Sequence, residues 1–261
     1  MELIRKIWRM NIKNQMVLML WILAMVGILQ QGIGHSLPQV LISIFFAASV
    51  DSLITYLKYK KIIFPTSAII SGLIISLVLS PGVNWYIPIF ASVVAIGSKH
   101  IIRIKGKHIF NPANFGLLLS MLIFHVYLVW WGASIPYLVL VLGGIIAYKF
   151  KRFHLVLSFI ITQYVLLGIY FLLKNYPLYK VFLMTNYFFI FVMLLEPKTS
   201  PIRRGGRIAY GILTGFFSSI LLLFNPGYDP SVTGLTMANL FVPIINYKNY
   251  KELKCQKLSF C

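Results

Sequence analysis

The sequence is poor in acidic residues and in cysteine. Only 5 of its 261 residues are Asp or Glu and 2 are Cys, whereas 24 are Lys or Arg. Charged residues make up 11% of the chain, against about 25% in soluble proteins. Hydrophobic residues make up 59%. This composition excludes a soluble enzyme, and it also excludes a disordered chain, which would lack aromatic and branched side chains.

Motifs of common catalytic and metal sites are missing as well. We find no Gly-rich phosphate loop, zinc-ligand spacing or nucleophile elbow. Cys255 and Cys261 both lie in the C-terminal tail, and two thiols do not supply an iron–sulfur cluster. His125 is the one histidine predicted to lie well inside an apolar run, whereas a bis-histidine heme needs two that face each other. We therefore expect no heme, no iron–sulfur cluster and no other metal site.

Long apolar runs dominate what remains. A transmembrane helix needs about 20 mostly apolar residues. Runs bounded by charge, Pro or Gly predict ten spans, at residues 16–34, 38–57, 62–80, 86–103, 109–130, 134–149, 153–173, 177–196, 207–225 and 231–247.

These spans predict one membrane domain over residues 1–261. It comprises a cytoplasmic N-terminal segment (1–15), a first five-helix half (16–130), a second five-helix half (131–247) and a cytoplasmic basic tail (248–261).

The basic residues predict the orientation of the chain. Lys and Arg collect in cytoplasmic loops. With ten spans, 22 of the 24 basic residues fall on one side of the membrane and only Lys174 and Lys180 on the other. We expect a multi-pass protein of the cell (inner or plasma) membrane with both termini in the cytoplasm.

Short similarities between the two halves predict an internal repeat. Residues 77–81 (LVLSP) resemble residues 193–197 (MLLEP), and the pair Ala113 and Asn114 recurs as Ala238 and Asn239. Inverted repeats need an odd number of spans per half, and five satisfies this requirement. The predicted fold is an all-α polytopic membrane protein of about ten transmembrane helices in two inverted five-helix repeats.

Residues 107–116 (KHIFNPANFG) place polar residues at the start of an apolar span. Asn111 followed by Pro112 is typical of a helix N-terminus. An ordinary helix start explains this pattern, but so does a half-helix that begins inside the membrane and directs its free N–H groups at a ligand or an ion path. Asn239 and Pro243 would form the counterpart in the second half.

Asp51 is the one acidic residue inside an apolar span. An ionised group there costs about 2.5 to 3.5 kcal/mol, so it should face protein or water. Its function would be a proton or cation pathway. The structural alternative is a partner for a neighbouring lysine, such as Lys58, or for a free helix end near the cytoplasmic face.

The loop at residues 196–206 (EPKTSPIRRGG) combines turn residues, hydroxyls and a basic cluster. It could hold an anion such as phosphate, or simply anchor the edge of the membrane domain. The anchor is the simpler interpretation.

Several stretches together resemble the RnfD/NqrB family, whose members are membrane subunits of the Rnf complex and of the sodium-pumping NADH:quinone oxidoreductase. They are residues 66–72, 110–116 (FNPANFG), 196–200 (EPKTS), 204–207 (RGGR) and 238–243 (ANLFVP). The resemblance implies two inverted five-helix halves and flavin-linked transmembrane electron transfer, coupled to Na⁺ or H⁺ translocation.

The resemblance also implies a cofactor, with one departure. Those family members that carry covalent FMN attach it to a threonine in an extracytoplasmic insertion between the fifth and sixth spans. Here that connection is short and has no such threonine, so covalent FMN is not expected. A noncovalent flavin, FMN or riboflavin, between the halves is what the resemblance implies. Its candidate ligands are Asn111, Asn114 and Asn239, with Thr66, Ser67, Thr199 and Ser200.

Two functions remain open. The first is a subunit of a redox complex, which needs partner subunits because the chain lacks the cysteines and heme ligands of a complete electron path. The second is a non-redox transporter or channel for a small solute or ion on the same scaffold. Apart from the lipid bilayer and redox partners, no nucleic acid is expected.

Overall fold

The protein is built from helices, as its composition predicts. The computed structural model describes residues 10–104, 106–224 and 227–258, with side chains described up to residue 246. The helices are α1 (Ile12–Gln31), α2 (Ile33–Tyr59), α3 (Thr66–Val78), α4 (Tyr86–Ile101), α5 (Pro112–Phe124), α6 (Pro136–Lys149), α7 (Phe153–Leu173), α8 (Tyr179–Leu183), α9 (Arg204–Phe224) and α10 (Pro230–Leu258). A π-helix, Phe189–Met193, follows α8, and a hairpin of β1 (Arg103–Ile104) and β2 (Lys107–His108) joins α4 to α5. The predicted all-α polytopic membrane fold is confirmed.

Every predicted span contains a helix, but the lengths differ from the prediction. Within the described residues, four helices are long and apolar enough to cross a membrane, namely α1, α2, α7 and α9. Helices α3 and α5 have only 13 residues each. Such a helix is about 20 Å long, whereas the apolar layer is about 30 Å thick. These two helices are therefore shorter than the layer, and α3 ends among buried residues.

Three predicted spans need correction in detail. The eighth is interrupted between α8 and the π-helix, because Asn186 caps the second segment by accepting a hydrogen bond from the Phe189 N–H at 2.9 Å. The fifth ends at Phe124, and His125 follows with a positive φ of 52° and an exposed side chain, outside any helix. The tenth helix extends past residue 247 to Leu258. Cys261 and residues 1–9 lie outside the described residues.

The core of each half is a short segment buried on all sides. Residues 71–79, at the end of α3, are buried without interruption, and so are residues 187–195 around the π-helix. A helix that is apolar all round belongs in such a position. The other helices surround these two segments.

The two halves repeat the same packing. Helix α4 packs against α2 and α5, and α9 packs in the same way against α7 and α10. The last helix of each half begins with a capping residue and a proline, Asn111-Pro112 and Asp229-Pro230, with Gly116 and Gly234 at the same later position. Five segments per half mean that corresponding helices run in opposite directions.

This arrangement corrects the internal alignment of the sequence. Asn111 corresponds to Asp229, so the recurrence of Asn114 as Asn239 is not the structural repeat. Pro81 and Asn111 are 30 positions apart, and Pro197 and Asp229 are 32 apart, so the corrected alignment needs only a small insertion. The helix starts are fixed by backbone geometry. They therefore align the two halves more reliably than the similar residue pairs do.

The C-terminal end of α3 is capped by side chains. The Trp131 indole N–H donates to the carbonyl oxygens of Ser76 and Leu79 at 2.7 and 3.0 Å, and the Gln39 amide donates to the same two oxygens at 2.9 and 3.3 Å. Trp131 is 2% exposed. The last carbonyls of a helix have no partner inside the helix, and lipid supplies none. These contacts therefore let α3 end inside the membrane.

Replacing Gly116 with Ala should disrupt the contact between α4 and α5. A Cβ at this position would lie 2.2 Å from the Ala91 carbonyl oxygen, so backbone has to move, at a cost of about 1–3 kcal/mol. Gly97→Ala on α4 is the matched control, because a Cβ there meets nothing within 4 Å. Thermal unfolding in detergent should show a lower midpoint for Gly116→Ala only. Equal midpoints would contradict the close packing.

Candidate functional site

A cavity of about 310 Å³ lies where the two halves meet, at the end of the molecule where α1, α3 and α5 begin. Small-molecule sites occupy about 300–1,000 Å³ and are mostly apolar with a few polar groups. The apolar lining includes Met16, Ile70, Ile74, Phe150, Val192 and Leu195. The polar lining includes Lys13, Ser67, Ser71, Lys99, His108, Asn111, Glu196 and Lys198. The cavity thus has an apolar body and a basic mouth.

Helix N-termini converge on this cavity. Ile12, Ser67 and Pro112 line it from the first turns of α1, α3 and α5. The free N–H groups of a helix start carry partial positive charge. Three such starts together favour a ligand with carbonyl or anionic oxygens.

Asn111 connects the two halves at the cavity wall. Its Oδ1 accepts from the Asn114 N–H at 3.2 Å, which makes it the N-cap of α5. Its Nδ2 donates to the Met193 carbonyl oxygen at 3.2 Å. The half-helix start that the sequence suggested is therefore fixed against the buried π-helix of the other half.

Asp51 is buried in an ion-pair cluster beside the cavity. The Lys99 ammonium donates to Asp51 Oδ1 and to Ser67 Oγ, each at 2.8 Å, and His100 Nε2 lies 2.8 Å from the same carboxylate oxygen. Partners on α4 thus neutralise Asp51, in place of the nearby Lys58 that the sequence suggested. Sequence reasoning missed Lys99 and His100 because they lie about 50 positions away in the chain.

A second histidine–carboxylate pair lies across the cavity. His108 Nε2 is 3.2 Å from Glu196 Oε1. The Thr199 hydroxyl donates to the other Glu196 oxygen at 3.4 Å, and the Ser200 hydroxyl donates to the Glu196 carbonyl at 2.8 Å. Thr199 and Ser200 therefore shape the loop after the π-helix and are outside the lining of this cavity.

The mouth of the cavity carries excess positive charge. Burial lowers the pKa of the Lys198 ammonium, and the charges of Lys13 and Lys99 lower it further, while Glu196 raises it. Although the Lys198 side chain is partly exposed, like charges dominate around it. An anionic group at the mouth would relieve this repulsion.

The other predicted site residues lie elsewhere. Asn114 Nδ2 donates to the Val232 carbonyl at 3.0 Å and to Thr236 Oγ1 at 2.7 Å. Asn239 Oδ1 accepts from the Tyr210 hydroxyl at 2.6 Å. Both asparagines are fully buried and tie α10 to α5 and α9. Thr66 is the first residue of α3 and is not part of the cavity lining. Of the seven predicted flavin ligands, the structure therefore brings Asn111 and Ser67 to this cavity.

The family model described as NQR2, RnfD, RnfE matches residues 6–136 and again residues 131–253. The chain belongs to this family. The RnfD/NqrB resemblance is therefore confirmed. The family model matches the chain twice, which agrees with the repeated helix packing of the two halves.

Relatives with curated names agree with the family. The D subunit of an ion-translocating oxidoreductase complex from Methanosarcina acetivorans is 27% identical over 82% of this chain and 81% of its own length. Its namesake from Buchnera aphidicola is 22% identical over 80% of this chain and 84% of its own length. The B subunit of a Na(+)-translocating NADH-quinone reductase from Chlamydia pneumoniae is 34% identical, over 21% of this chain and 11% of its own length.

Removing Lys99 should destabilise the protein by leaving Asp51 buried without its main partner. We expect Lys99→Met to cost about 3 kcal/mol, and Lys99→Met with Asp51→Asn to cost at least about 1 kcal/mol less than the sum of the two single changes. Thermal unfolding of the three variants in detergent gives the comparison.

Lys61→Met is the control for that experiment, because Lys61 is an exposed residue at the same end of the molecule. It should change stability by about 0.5 kcal/mol or less. Strictly additive losses in the double variant would show that Lys99 and Asp51 do not interact.

Proposed function

We propose that the chain is a membrane subunit of an ion-translocating electron-transport complex, and that the cavity between its halves holds a noncovalent flavin. The observation that carries the proposal is a mostly apolar, small-molecule-sized cavity with elements of both halves in its walls. It lies in a chain whose relatives, matched over most of its length, are named as subunits of such complexes.

The cavity residues fit the chemistry of a flavin. A flavin ring system is flat, with two apolar faces and one edge of carbonyl oxygens and nitrogens. Ile70 and Ile74 on α3 and Val192 on the π-helix supply apolar surfaces for such faces. A lysine ammonium has three donors, and Lys99 uses two of them on Asp51 and Ser67. The third is available for an oxygen at the ring edge.

The residues proposed to hold the flavin are therefore Ser67, Asn111 and Lys99. When bound, a flavin supplies one- and two-electron chemistry. The chain itself contributes orientation through the fixed start of α5, exclusion of water by the apolar walls, and a positive charge at Lys99 that stabilises negative charge nearby.

Asp51 is proposed to belong to the ion or proton pathway. Its carboxylate bridges Lys99, which lines the cavity, and His100. Histidine is the side chain whose ordinary pKa is closest to neutrality. A buried carboxylate shared by a lysine and a histidine offers a route for a proton or cation between the cavity and the edge of α4.

We further propose that this end of the molecule faces the cytoplasm and receives electrons from partner subunits. The cavity mouth carries Lys13, Lys99 and Lys198, and basic residues mark cytoplasmic ends of spans. The two cysteines of the chain do not provide a metal-centred path, so other subunits have to supply the electron donor and acceptor. The connection between α5 and α6 has no threonine, so covalent FMN is not part of the proposal.

A transporter without redox chemistry is the second candidate function. The short helices α3 and α5, both of which start at the cavity, and the buried Asp51 favour it, because broken helices commonly form ion and solute sites. Flavin content distinguishes the two functions.

Filling the cavity should remove the flavin. Ile70→Trp puts a bulky indole ring into the cavity. Because such a pocket buries most of its ligand, we expect the purified variant to retain less than about a tenth of the wild-type flavin. The measurement is flavin fluorescence of the supernatant after acid precipitation, per mole of protein.

Ile101→Trp is the matched control, because Ile101 is 81% exposed at the end of α4. It should keep the wild-type flavin content. Equal flavin in both variants would place the cofactor elsewhere, and colourless wild-type protein made with ample riboflavin would favour the transporter.

A further inference from the structure

Arg152 carries a buried charge outside the flavin cavity. Arg152 is the residue immediately before α7, and it is only 5% exposed. The guanidinium donates to Ser200 Oγ, and the described residues provide it with no carboxylate within ion-pair distance. Glu196 acts on Arg152 from beyond ion-pair distance and is already engaged by His108 and Thr199. Buried charges normally have a direct counter-charge, and no described carboxylate forms an ion pair with this one.

Two further cations, Arg204 and Arg207, lie in the same region as Arg152. Burial and the charge of Arg207 lower the pKa of Arg152 to about 10, although Tyr210 and Glu196 act in the opposite direction. His154 on α7 lies within electrostatic reach of Arg152, Arg204 and Arg207. Its Nε2 is buried and has no hydrogen-bond partner in the described part of the chain. We call Arg152, His154, Ser200, Arg204 and Arg207 the arginine cluster.

The backbone adds to the positive potential of the cluster. Helices α7 and α9 begin at Phe153 and Arg204, within the cluster. They pack closely, since a Cβ on Gly211 would lie 2.7 Å from the Leu155 carbonyl oxygen. The start of α7 therefore lies beside the second turn of α9, and each helix start contributes partial positive charge.

The loop around the cluster is held in a fixed shape. Arg207 Nε donates to the Pro201 carbonyl at 3.1 Å, and its Nη2 donates to the Ile202 carbonyl at 2.7 Å. The loop at residues 196–203 is thereby folded against the start of α9. Arg204 and Gly205 beside it are exposed, so the outer edge of the cluster faces solvent.

Orientation signalling does not explain this arrangement. Exposed lysines such as Lys60 and Lys61 mark the cytoplasmic side at little cost, because water solvates them. A buried arginine among other cations is costly, so a ligand that neutralises it is the physical explanation. Arginine binds phosphate through two parallel hydrogen bonds, and helix starts bind phosphate through N–H groups.

The geometry points to a phosphate-binding site at the arginine cluster, in which Arg152 and Arg204 neutralise the phosphate and His154 Nε2 and the start of α9 donate hydrogen bonds to its oxygens. The group is a phosphate ester or inorganic phosphate. The ester is carried by a lipid headgroup or by a soluble molecule, and the experiment separates these sources. The site is distinct from the proposed flavin cavity and does not depend on electron transfer.

The test is thermal stability of lipid-depleted protein in a neutral detergent. One arm adds inorganic phosphate against chloride at equal ionic strength. The other adds phosphatidic acid to the micelles against phosphatidylcholine. A ligand that binds only the folded state raises the unfolding midpoint, and we expect a rise of about 2 °C or more in at least one arm.

Arg204→Gln with His154→Gln is the test variant, and Lys60→Gln with Lys61→Gln is the control that removes two charges from the same end of the molecule. We expect the apparent affinity to fall at least about tenfold in the test variant and to stay unchanged in the control. Both variants keep Arg152 and Arg207, which hold the loop.

The two arms assign the source. A rise with inorganic phosphate supports a soluble phosphate, and a rise with phosphatidic acid alone supports a lipid headgroup. No rise in either arm of the wild-type protein overturns the proposal. An equal loss of apparent affinity in the test and control variants also overturns the proposal. In that case the effect would come from the overall positive charge of the surface and not from a specific site.

Discussion

The capping of α3 by Trp131 and Gln39 is the interaction on which the site depends. A helix of 13 residues cannot cross the apolar layer, and its last carbonyls need partners that lipid does not provide. The indole N–H and the amide supply them. Because α3 ends there, its other end, with Ser67, lies at the depth where α5 also begins, and the cavity forms between these starts and the π-helix.

Two groups of buried polar residues have different roles. Asn114, Asn239 and Tyr210 hydrogen-bond to each other's helices and fix α5, α9 and α10 as one unit. Lys99 and Asp51, by contrast, form a charged cluster at a wall of the cavity. The first group fixes how the helices align with one another, which is a common role of interhelical hydrogen bonds in membranes. The second gives the cavity its chemistry.

The location of each helix could be predicted from the sequence, because charge, Pro and Gly bound the apolar runs. The resemblance to the family followed from motifs such as residues 110–116, where Asn111 and Pro112 do start a helix. The true ends of α5 and the interruption before the π-helix could not be predicted. They depend on caps such as Asn186, whose effect is visible only when the chain is folded.

The composition of the site was harder to predict than the fold. Asn114 and Asn239 were equal candidates with Asn111 because all three are polar residues in apolar runs, and sequence does not tell which way an amide points. Lys99 and Glu196 belong to the cavity through contacts that span the chain. Arg152 is similar, since only folding buries it against Ser200.

The most direct measurement of the central claim is the visible absorption spectrum of the wild-type protein purified in detergent, followed by acid precipitation. The account predicts a flavin spectrum whose colour moves into the supernatant, in roughly one equivalent per chain, because it places one flavin in one cavity of small-molecule size. Colour that stays in the pellet would contradict noncovalent binding. A colourless protein from cells with ample flavin would contradict the claim that this cavity holds a redox cofactor.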